Sequence, residues 1–199
     1  LWDMARAVGK KVTSALYQAR IRTRKMKTTA PEKWIRDIGV PMPKWKQLKR
    51  KLKLLTPMNL ISFQYKFLHR VYTGNATAYL QKKSRTPLCR FCHTNETTIH
   101  AYWACPVVQS LWQQAELMLG NFLGYRIKYK LTDAIYCNSK SAPQNILAVL
   151  IKKATLHARI ENKKPEFGQI WSMFNNYYHT EKLIYFRKNR GKKFHLKWT

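Results

Sequence analysis

Three of the chain's four cysteines and two of its six histidines lie in one stretch, PLCRFCHTNETTIHAYWACP, at residues 87–106. Cys89, Cys92, His100 and Cys105 follow one another with two, seven and four residues between them. Thiolate and imidazole suit Zn(II), and two cysteines separated by two residues can bind one ion from a single tight turn. Because four protein ligands leave no position for water, the spacing predicts a structural zinc site and not a catalytic one.

Two alternatives remain open at this site. His93 is a competing ligand, but as the neighbour of Cys92 it would have to bend back onto the same ion, so we favour His100. The cysteines could instead be ordinary buried residues, which are common in protein cores. Cys105 precedes Pro106, which predicts that it caps a helix whose positive end favours a thiolate. Cys137 stands alone, and we interpret it as a core residue.

The charge of the chain calls for a polyanionic partner. Lysine and arginine number 38 against nine aspartates and glutamates, which gives a formal net charge of +29. A hydrophobic content of 45% argues against a disordered basic tail. Nucleic acid is the default partner of such a protein. The rival, an anionic membrane, is less favoured because the sequence has neither a long apolar span nor a signal sequence. We therefore expect a soluble intracellular protein.

Three basic blocks, at 20–27, 44–53 and 187–197, carry the nucleic-acid hypothesis. Any single lysine could still be only a solvated surface charge. We expect Trp112, Phe67, Phe174 and Trp171 in the core, whereas Trp45 and Trp198 are candidates for stacking on bases. The predicted contacts, including two arginines beside the cysteines that would offset thiolate charge, are Arg20, Arg22, Arg24, Lys25, Lys27, Lys44, Trp45, Lys46, Lys49, Arg50, Lys51, Lys53, Arg85, Arg90, Arg187, Lys188, Arg190, Lys192, Lys193 and Lys197.

Apolar residues recur at helical spacing along most of the chain, which predicts a mainly α fold. We expect a helical domain built around a Cys3His zinc knuckle, a helical hairpin and a basic C-terminal tail. The predicted helices run from near residue 3 into a basic stretch, over 31–38, 44–55, 57–72 and 76–82, from Pro106, over 141–162 and from Pro165. The run YRIKYKL at 125–131 alternates like a strand, but it is short.

The same patterns suggest four regions. They are a basic helical N-terminal segment at 1–55, a zinc-knuckle helical domain at 56–125, a C-terminal helical region at 126–186 and a basic tail at 187–199.

The residues around the cysteines also resemble a known family. Glu96-Thr97 precede the histidine, Cys105-Pro106 follow it, and Leu111-Trp112 lie in the next helix. This order is similar to the zinc-binding region near the C-terminus of LINE-type non-LTR retrotransposon reverse transcriptases. KWIRDIGVPMPKW upstream also looks like a pattern of that family, and the resemblance covers about residues 30–115. The spacing differs from the retroviral nucleocapsid knuckle.

The resemblance implies a role beside a polymerase rather than as one. A reverse transcriptase needs paired aspartates to hold divalent metal, and this chain has only Asp3, Asp37 and Asp133, far apart in sequence. Endonuclease carboxylates are likewise missing, so we expect no catalytic site here. The parent would be an RNA-directed DNA polymerase with an endonuclease, and we interpret the chain, which begins at Leu1, as its C-terminal portion.

On this hypothesis the chain binds template RNA and target DNA during target-primed reverse transcription. Its other partner would be the rest of the polymerase, with neither a membrane nor a small-molecule substrate. The expected location is the nucleus, with a cytoplasmic ribonucleoprotein stage. One alternative is a zinc-stabilised interaction module that docks onto the polymerase. Another is a free-standing nuclear protein derived from a transposon.

Overall fold

The computed structural model describes residues 29–41, 43–52, 55 and 58–198, and within these it is helical with no strand. The expected mainly α fold is confirmed. The helix predicted near residue 3 lies outside the described residues. Nine α-helices occur in the described part: α1 Ala30–Ile38, α2 Trp45–Leu52, α3 Met58–Leu68, α4 Asn75–Leu80, α5 Pro106–Leu123, α6 Leu131–Tyr136, α7 Ala142–Ile160, α8 Phe167–Arg187 and α9 Gly191–Trp198.

Local signals in the sequence explain where several helices begin and end. At α1, the Thr29 backbone N–H donates to the Glu32 carboxylate at 2.7 Å, which is half of a capping box. The helix ends at Gly39, whose φ of 74° lies in the left-handed region that glycine adopts without strain. At α7, the Ser141 hydroxyl accepts a hydrogen bond from the Gln144 backbone N–H.

Helix α3 ends four residues before the predicted end at residue 72. The chain turns at Arg70, whose φ is +58°. This turn directs the Arg70 guanidinium onto Asp37 at 2.5 Å and over the ring of Trp34 at 4.4 Å. The helix therefore lacks its predicted last turn, and Arg70 instead forms an ion pair and a cation–π contact with α1.

Helix α7 is the centre of the molecule. Its first eleven residues are all buried, and the helix contacts α3, α5, α6, α8 and α9. The predicted hairpin of the last two long helices corresponds to α7 and α8, which pack against each other. The first half of α7 is thus buried on every side, as expected for a helix inside a larger core.

The alternating run near residue 127 is not a strand. Ile127 and Tyr129 are buried while Arg126 and Lys128 are exposed, so the expected alternation of sides is present. The segment has no β-partner among the described residues. Instead, Tyr129 packs its ring against Trp112 and donates its hydroxyl to the Gln144 carbonyl at 2.9 Å.

Most of the predicted basic tail forms α9, which packs on α7 and α8 through buried Phe194 and Trp198. In the part of the chain that the structure describes, no helix has the length and apolar character needed to cross a bilayer.

Candidate metal centre

The four predicted ligands come together. Their ligand atoms, three thiol sulfurs and one imidazole nitrogen, all lie within 4.8 Å of one another. The Cys89 and Cys105 sulfurs are 3.8 Å apart, and the Cys92 and Cys105 sulfurs are 3.9 Å apart. These distances are too long for a disulfide, in which the sulfurs are about 2.05 Å apart. The group could hold a metal ion, which confirms the expected Cys3His cluster.

A tight turn presents the first two cysteines. The Cys89 backbone N–H donates to the Thr94 carbonyl at 2.7 Å, and the His93 N–H donates to the Cys89 carbonyl at 2.9 Å. The Phe91 N–H points at the Cys89 sulfur from 3.4 Å. His93 is exposed and has a φ of +60°, and it does not belong to the ligand group. The cluster that could hold an ion therefore contains His100, which the spacing favoured, and not His93.

A π-helical turn presents the other two ligands. Residues His100–Ala104 form this turn, and the Cys105 N–H closes it by donating to the His100 carbonyl at 2.9 Å. The hydrogen bond joins residues five apart, where an α-helix joins residues four apart. The four-residue spacer between His100 and Cys105 therefore equals one wide turn with a ligand at each end.

Cys105 ends the π turn and is the N-cap of α5, as predicted. Burial raises the pKa of its thiol, while the nearby backbone N–H groups of Val108 and Val107 act to lower it. Burial also raises the pKa of Cys89 to about 12. Without a nearby cation both thiols would be protonated at neutral pH, so a bound metal ion would have to displace their protons.

The pKa values of the remaining two ligands are shifted in the direction that favours metal binding. Burial acts to raise the pKa of Cys92, but hydrogen bonds from Thr94 outweigh it and the pKa is lowered. Burial lowers the pKa of His100, so the imidazole is neutral at pH 7 with a free lone pair. The His100 Nε2 lies 3.2 Å from the Cys92 sulfur.

Glu96 connects this cluster to the core. Its side chain is completely buried, accepts a hydrogen bond from the Asn75 backbone N–H at 2.7 Å and forms an ion pair with Arg159 on α7. From its sequence position Glu96 could equally orient the ligands or be an exposed loop acid. It is not an exposed loop acid, because its buried side chain anchors the loop between the two ligand pairs to α4 and α7.

Gly74 lets α4 approach this loop. A Cβ on Gly74 would lie 2.2 Å from the Glu96 carbonyl oxygen and 2.6 Å from the Thr97 carbonyl carbon. Only a residue without a side chain permits that contact. The Ala76 N–H donates to the same Glu96 oxygen at 3.0 Å.

The predicted nucleic-acid contacts divide into three groups. Arg20, Arg22, Arg24, Lys25, Lys27 and Lys53 lie outside the described residues, as do the side chains of Trp45 and Lys49. Lys51 is half-buried and donates to the Ser139 carbonyl at 2.9 Å. The exposed side chains are Lys44, Lys46, Arg50, Arg85, Arg90, Arg187, Lys188, Arg190, Lys192 and Lys193.

Two residues of the basic tail differ from the expectation. Trp198 is 3% exposed, and its indole N–H donates to Glu181 at 2.8 Å, so it is not available for stacking on bases. Lys197 donates to both carboxylate oxygens of Glu181 at 2.6 and 2.8 Å. Its charge is already neutralised. The burial of Trp198 and the pairing of Lys197 have one cause, because both side chains bond to Glu181 on α8 and so hold the end of α9 against that helix.

Arg85 and Arg90 come together beside the metal group. With Lys83 and His93 they line an open cleft of about 690 Å³ next to Cys89. The sequence predicted both arginines as nucleic-acid contacts that would also offset thiolate charge.

Sequence reasoning missed a buried lysine. Lys152 is fully buried on α7 and donates to the Gln64 side chain at 2.7 Å and to the Ala134 and Ile135 carbonyls at 2.7 and 3.0 Å. Its ammonium also lies 3.3 Å from the sulfur of Cys137. Cys137 is a buried core residue, as predicted. The available signal was the uninterrupted apolar run ILAVLI directly before Lys152, but most of the partners of the lysine are distant in sequence.

Comparison with known proteins gives no match to any family model or to any curated protein sequence.

Proposed function

We propose that this chain is a zinc-stabilised nucleic-acid-binding segment, and that it is the C-terminal portion of a LINE-type retrotransposon reverse transcriptase. In that role it holds template RNA or target DNA for a polymerase elsewhere in the same protein. The family assignment rests on the Glu96-Thr97, Cys105-Pro106 and Leu111-Trp112 motifs. The binding function rests on the charge of the described surface.

Zinc is the metal that the ligand group suits best. Three cysteines and one histidine form a usual set for structural Zn(II), and with Zn–S bonds of about 2.3 Å a tetrahedron places its sulfurs about 3.8 Å apart. The separations of 3.8 and 3.9 Å agree with this geometry. Zinc would link the turn at Cys89 to the start of α5. All four positions would be taken by protein atoms, so the ion would stabilise the fold and activate no water.

The observation that carries the binding function is that the acidic side chains are mostly bonded within the protein, whereas most basic side chains are exposed. Most carboxylates in the described part are already bonded to a helix cap, a backbone N–H or a cation. They are Glu32, Asp37, Glu96, Glu116 and Glu181. The exposed lysines and arginines therefore have few acidic neighbours. Such a surface attracts phosphates without regard to sequence, and binding releases counterions.

Salt dependence tests the proposal. The full chain is titrated into fluorescently labelled RNA and DNA at several sodium chloride concentrations. We expect binding at low salt and a linear decrease of log K with log salt, with a slope of about −0.9 for each phosphate contacted on duplex DNA. Failure to bind either nucleic acid at low ionic strength would contradict the proposal.

A protein-interaction module is the second candidate. It is favoured by apolar side chains that remain exposed, among them Leu80 at 82% and Leu196 at 83%. Docking through such residues would persist or strengthen in high salt, because it buries apolar area. The same titration with the polymerase portion in place of nucleic acid separates the two candidates.

A further inference from the structure

We propose that Phe186, at the end of α8, is a stacking platform for one unpaired base of a single-stranded nucleic acid. The basic side chains of Arg190, Lys192 and Lys193 beside it would hold the flanking phosphates. This inference rests on the proposed nucleic-acid-binding function and deepens it, since it names the form of nucleic acid and the residue that meets a base.

The ring of Phe186 is open to solvent, unlike the phenylalanine and the tryptophan of α9. Its side chain is 48% exposed, whereas Phe194 is 1% exposed and Trp198 is 3% exposed. The Phe194 and His195 rings stand nearly perpendicular to it, with centroids 6.1 Å away in both cases. These neighbours support the ring but do not cover it. Trp198, one of the two sequence-based candidates for stacking, is thus replaced by a phenylalanine directly before the same basic tail.

A cleft of about 490 Å³ opens beside the ring. Its volume lies within the range of about 300–1,000 Å³ that is typical of ligand sites. A Cβ at Gly191 would lie in ordinary van der Waals contact with the Phe186 ring, 3.5 Å from its Cζ atom, so the glycine leaves that part of the ring uncovered. The other lining residues are Asn189, Arg190, Lys192 and Lys193.

The backbone of the α8–α9 turn is closely hydrogen-bonded. The Asn189 N–H donates to the Phe186 carbonyl at 3.0 Å, and the Arg190 N–H donates to the Tyr185 carbonyl at 2.8 Å. The Lys193 N–H donates in turn to the Arg190 carbonyl at 3.0 Å. The Phe186 ring and the basic side chains therefore project from one hydrogen-bonded turn. Little backbone order has to be acquired when a ligand binds.

Charge selects the occupant. No carboxylate is among the described residues that line the cleft, and the sequence from residue 182 to the end contains no aspartate or glutamate. The closest preceding acid, Glu181, is neutralised by Lys197. An apolar ring among cations that lack acidic neighbours suits a flat base with a phosphate on either side, which is how proteins bind single strands. A paired base in a duplex has no exposed face for this ring.

The experiment compares bases with phosphates at this one site. The full chain and Phe186→Leu are titrated, by fluorescence anisotropy, against a short oligothymidylate and an abasic oligonucleotide of the same length. Leucine keeps the apolar volume and removes the aromatic face. Since stacking contributes about 1–3 kcal/mol per base, we expect a loss of about fivefold or more on oligothymidylate and no change on the abasic strand. An oligouridylate arm distinguishes RNA from DNA.

Tyr125→Leu is the matched control. Tyr125 is 47% exposed and follows a different helix, α5, in a cleft that contains Glu116, so we expect unchanged affinity for both probes. In a second measurement, an iodouracil oligonucleotide is crosslinked by light and the peptide that carries it is identified by mass spectrometry. A crosslink at Phe186 supports the proposal. Equal loss by Phe186→Leu on both probes, equal affinity of the unaltered chain for both, or a crosslink elsewhere overturns it.

These outcomes differ from failure of the proposed function. If the unaltered chain binds both probes equally, it still binds nucleic acid and only the stacking site is wrong. If it binds neither probe at low salt, the proposed function itself fails and the stacking site fails with it.

Discussion

Glu96 shows how much one buried ion pair contributes to this site. Its carboxylate meets Arg159, which is 7% exposed, and no other carboxylate in the described residues contacts that guanidinium. We expect Glu96→Gln to lower the free energy of unfolding by about 3–5 kcal/mol, because it leaves a buried charge unpaired. Urea denaturation measures the effect. Glu161→Gln is the control, since Glu161 is 57% exposed and pairs with exposed Lys163. Equal effects in the two variants would contradict this interpretation.

Gly74→Ala tests the close approach of α4 to the loop of Glu96. The added Cβ would meet backbone atoms at 2.2 and 2.6 Å, and backbone cannot rotate away as a side chain can. We expect a loss of about 3 kcal/mol, at the upper end for overpacking, together with weaker metal retention. Gly168→Ala on α8 meets no described atom within 4 Å and should be neutral or stabilising. A neutral Gly74→Ala would show that α4 can move.

Lys152 predicts a dependence of stability on pH. Burial lowers the pKa of its ammonium below the ordinary value of 10.5. Between the two pKa values the unfolded chain binds more protons than the folded one, so this residue's contribution to stability increases as pH rises through that window. We expect the stability of the unaltered protein relative to Lys152→Met to increase toward pH 10.5. A pH-independent difference in urea unfolding would mean that Lys152 stays charged.

At the scale of elements, the π turn and α5 depend on the metal group. Cys89→Ser should reduce bound zinc and raise hydrogen exchange in His100–Ala104 and at the start of α5. Since α7 contacts the π turn and pairs with Glu96, we also expect faster exchange near Arg159. Cys137→Ser is the control, because Cys137 is buried outside the ligand group. Zinc content and exchange by mass spectrometry measure both variants, and an unchanged exchange pattern in Cys89→Ser would exclude a structural metal.

Elements defined by local signals could be predicted from the sequence, whereas contacts between distant elements could not. The spacing of Cys89, Cys92, His100 and Cys105 is local, and so are the proline and cap residues that start helices. The burial of Trp198 depends on Glu181 one helix earlier. Nothing in a run of lysines around a tryptophan indicates that a carboxylate elsewhere will accept its N–H. The π turn was missed because a hydrophobic pattern does not show whether backbone hydrogen bonds join residues four apart, as in an α-helix, or five apart.

At the scale of the whole molecule, the net charge of +29 opposes the folded state. Like charges on a compact surface repel each other, and added salt screens them. We therefore expect the melting temperature to rise with sodium chloride, by about 2–4 °C for each kcal/mol of repulsion removed. Circular dichroism at increasing salt measures it, with added sucrose as a control for general exclusion effects. A fall in melting temperature would indicate that surface ion pairs outweigh the repulsion.

The partner of Glu96 also sets an order of events during synthesis. The four ligands leave the ribosome within seventeen consecutive residues, 89–105, while Arg159 follows much later. Until α7 has been synthesised, the Glu96 carboxylate lacks its partner Arg159. The nascent chain can therefore bring the four ligands together, but it cannot yet pack the ligand loop against the core. The finished site is therefore a late product of translation even though its ligands are made together.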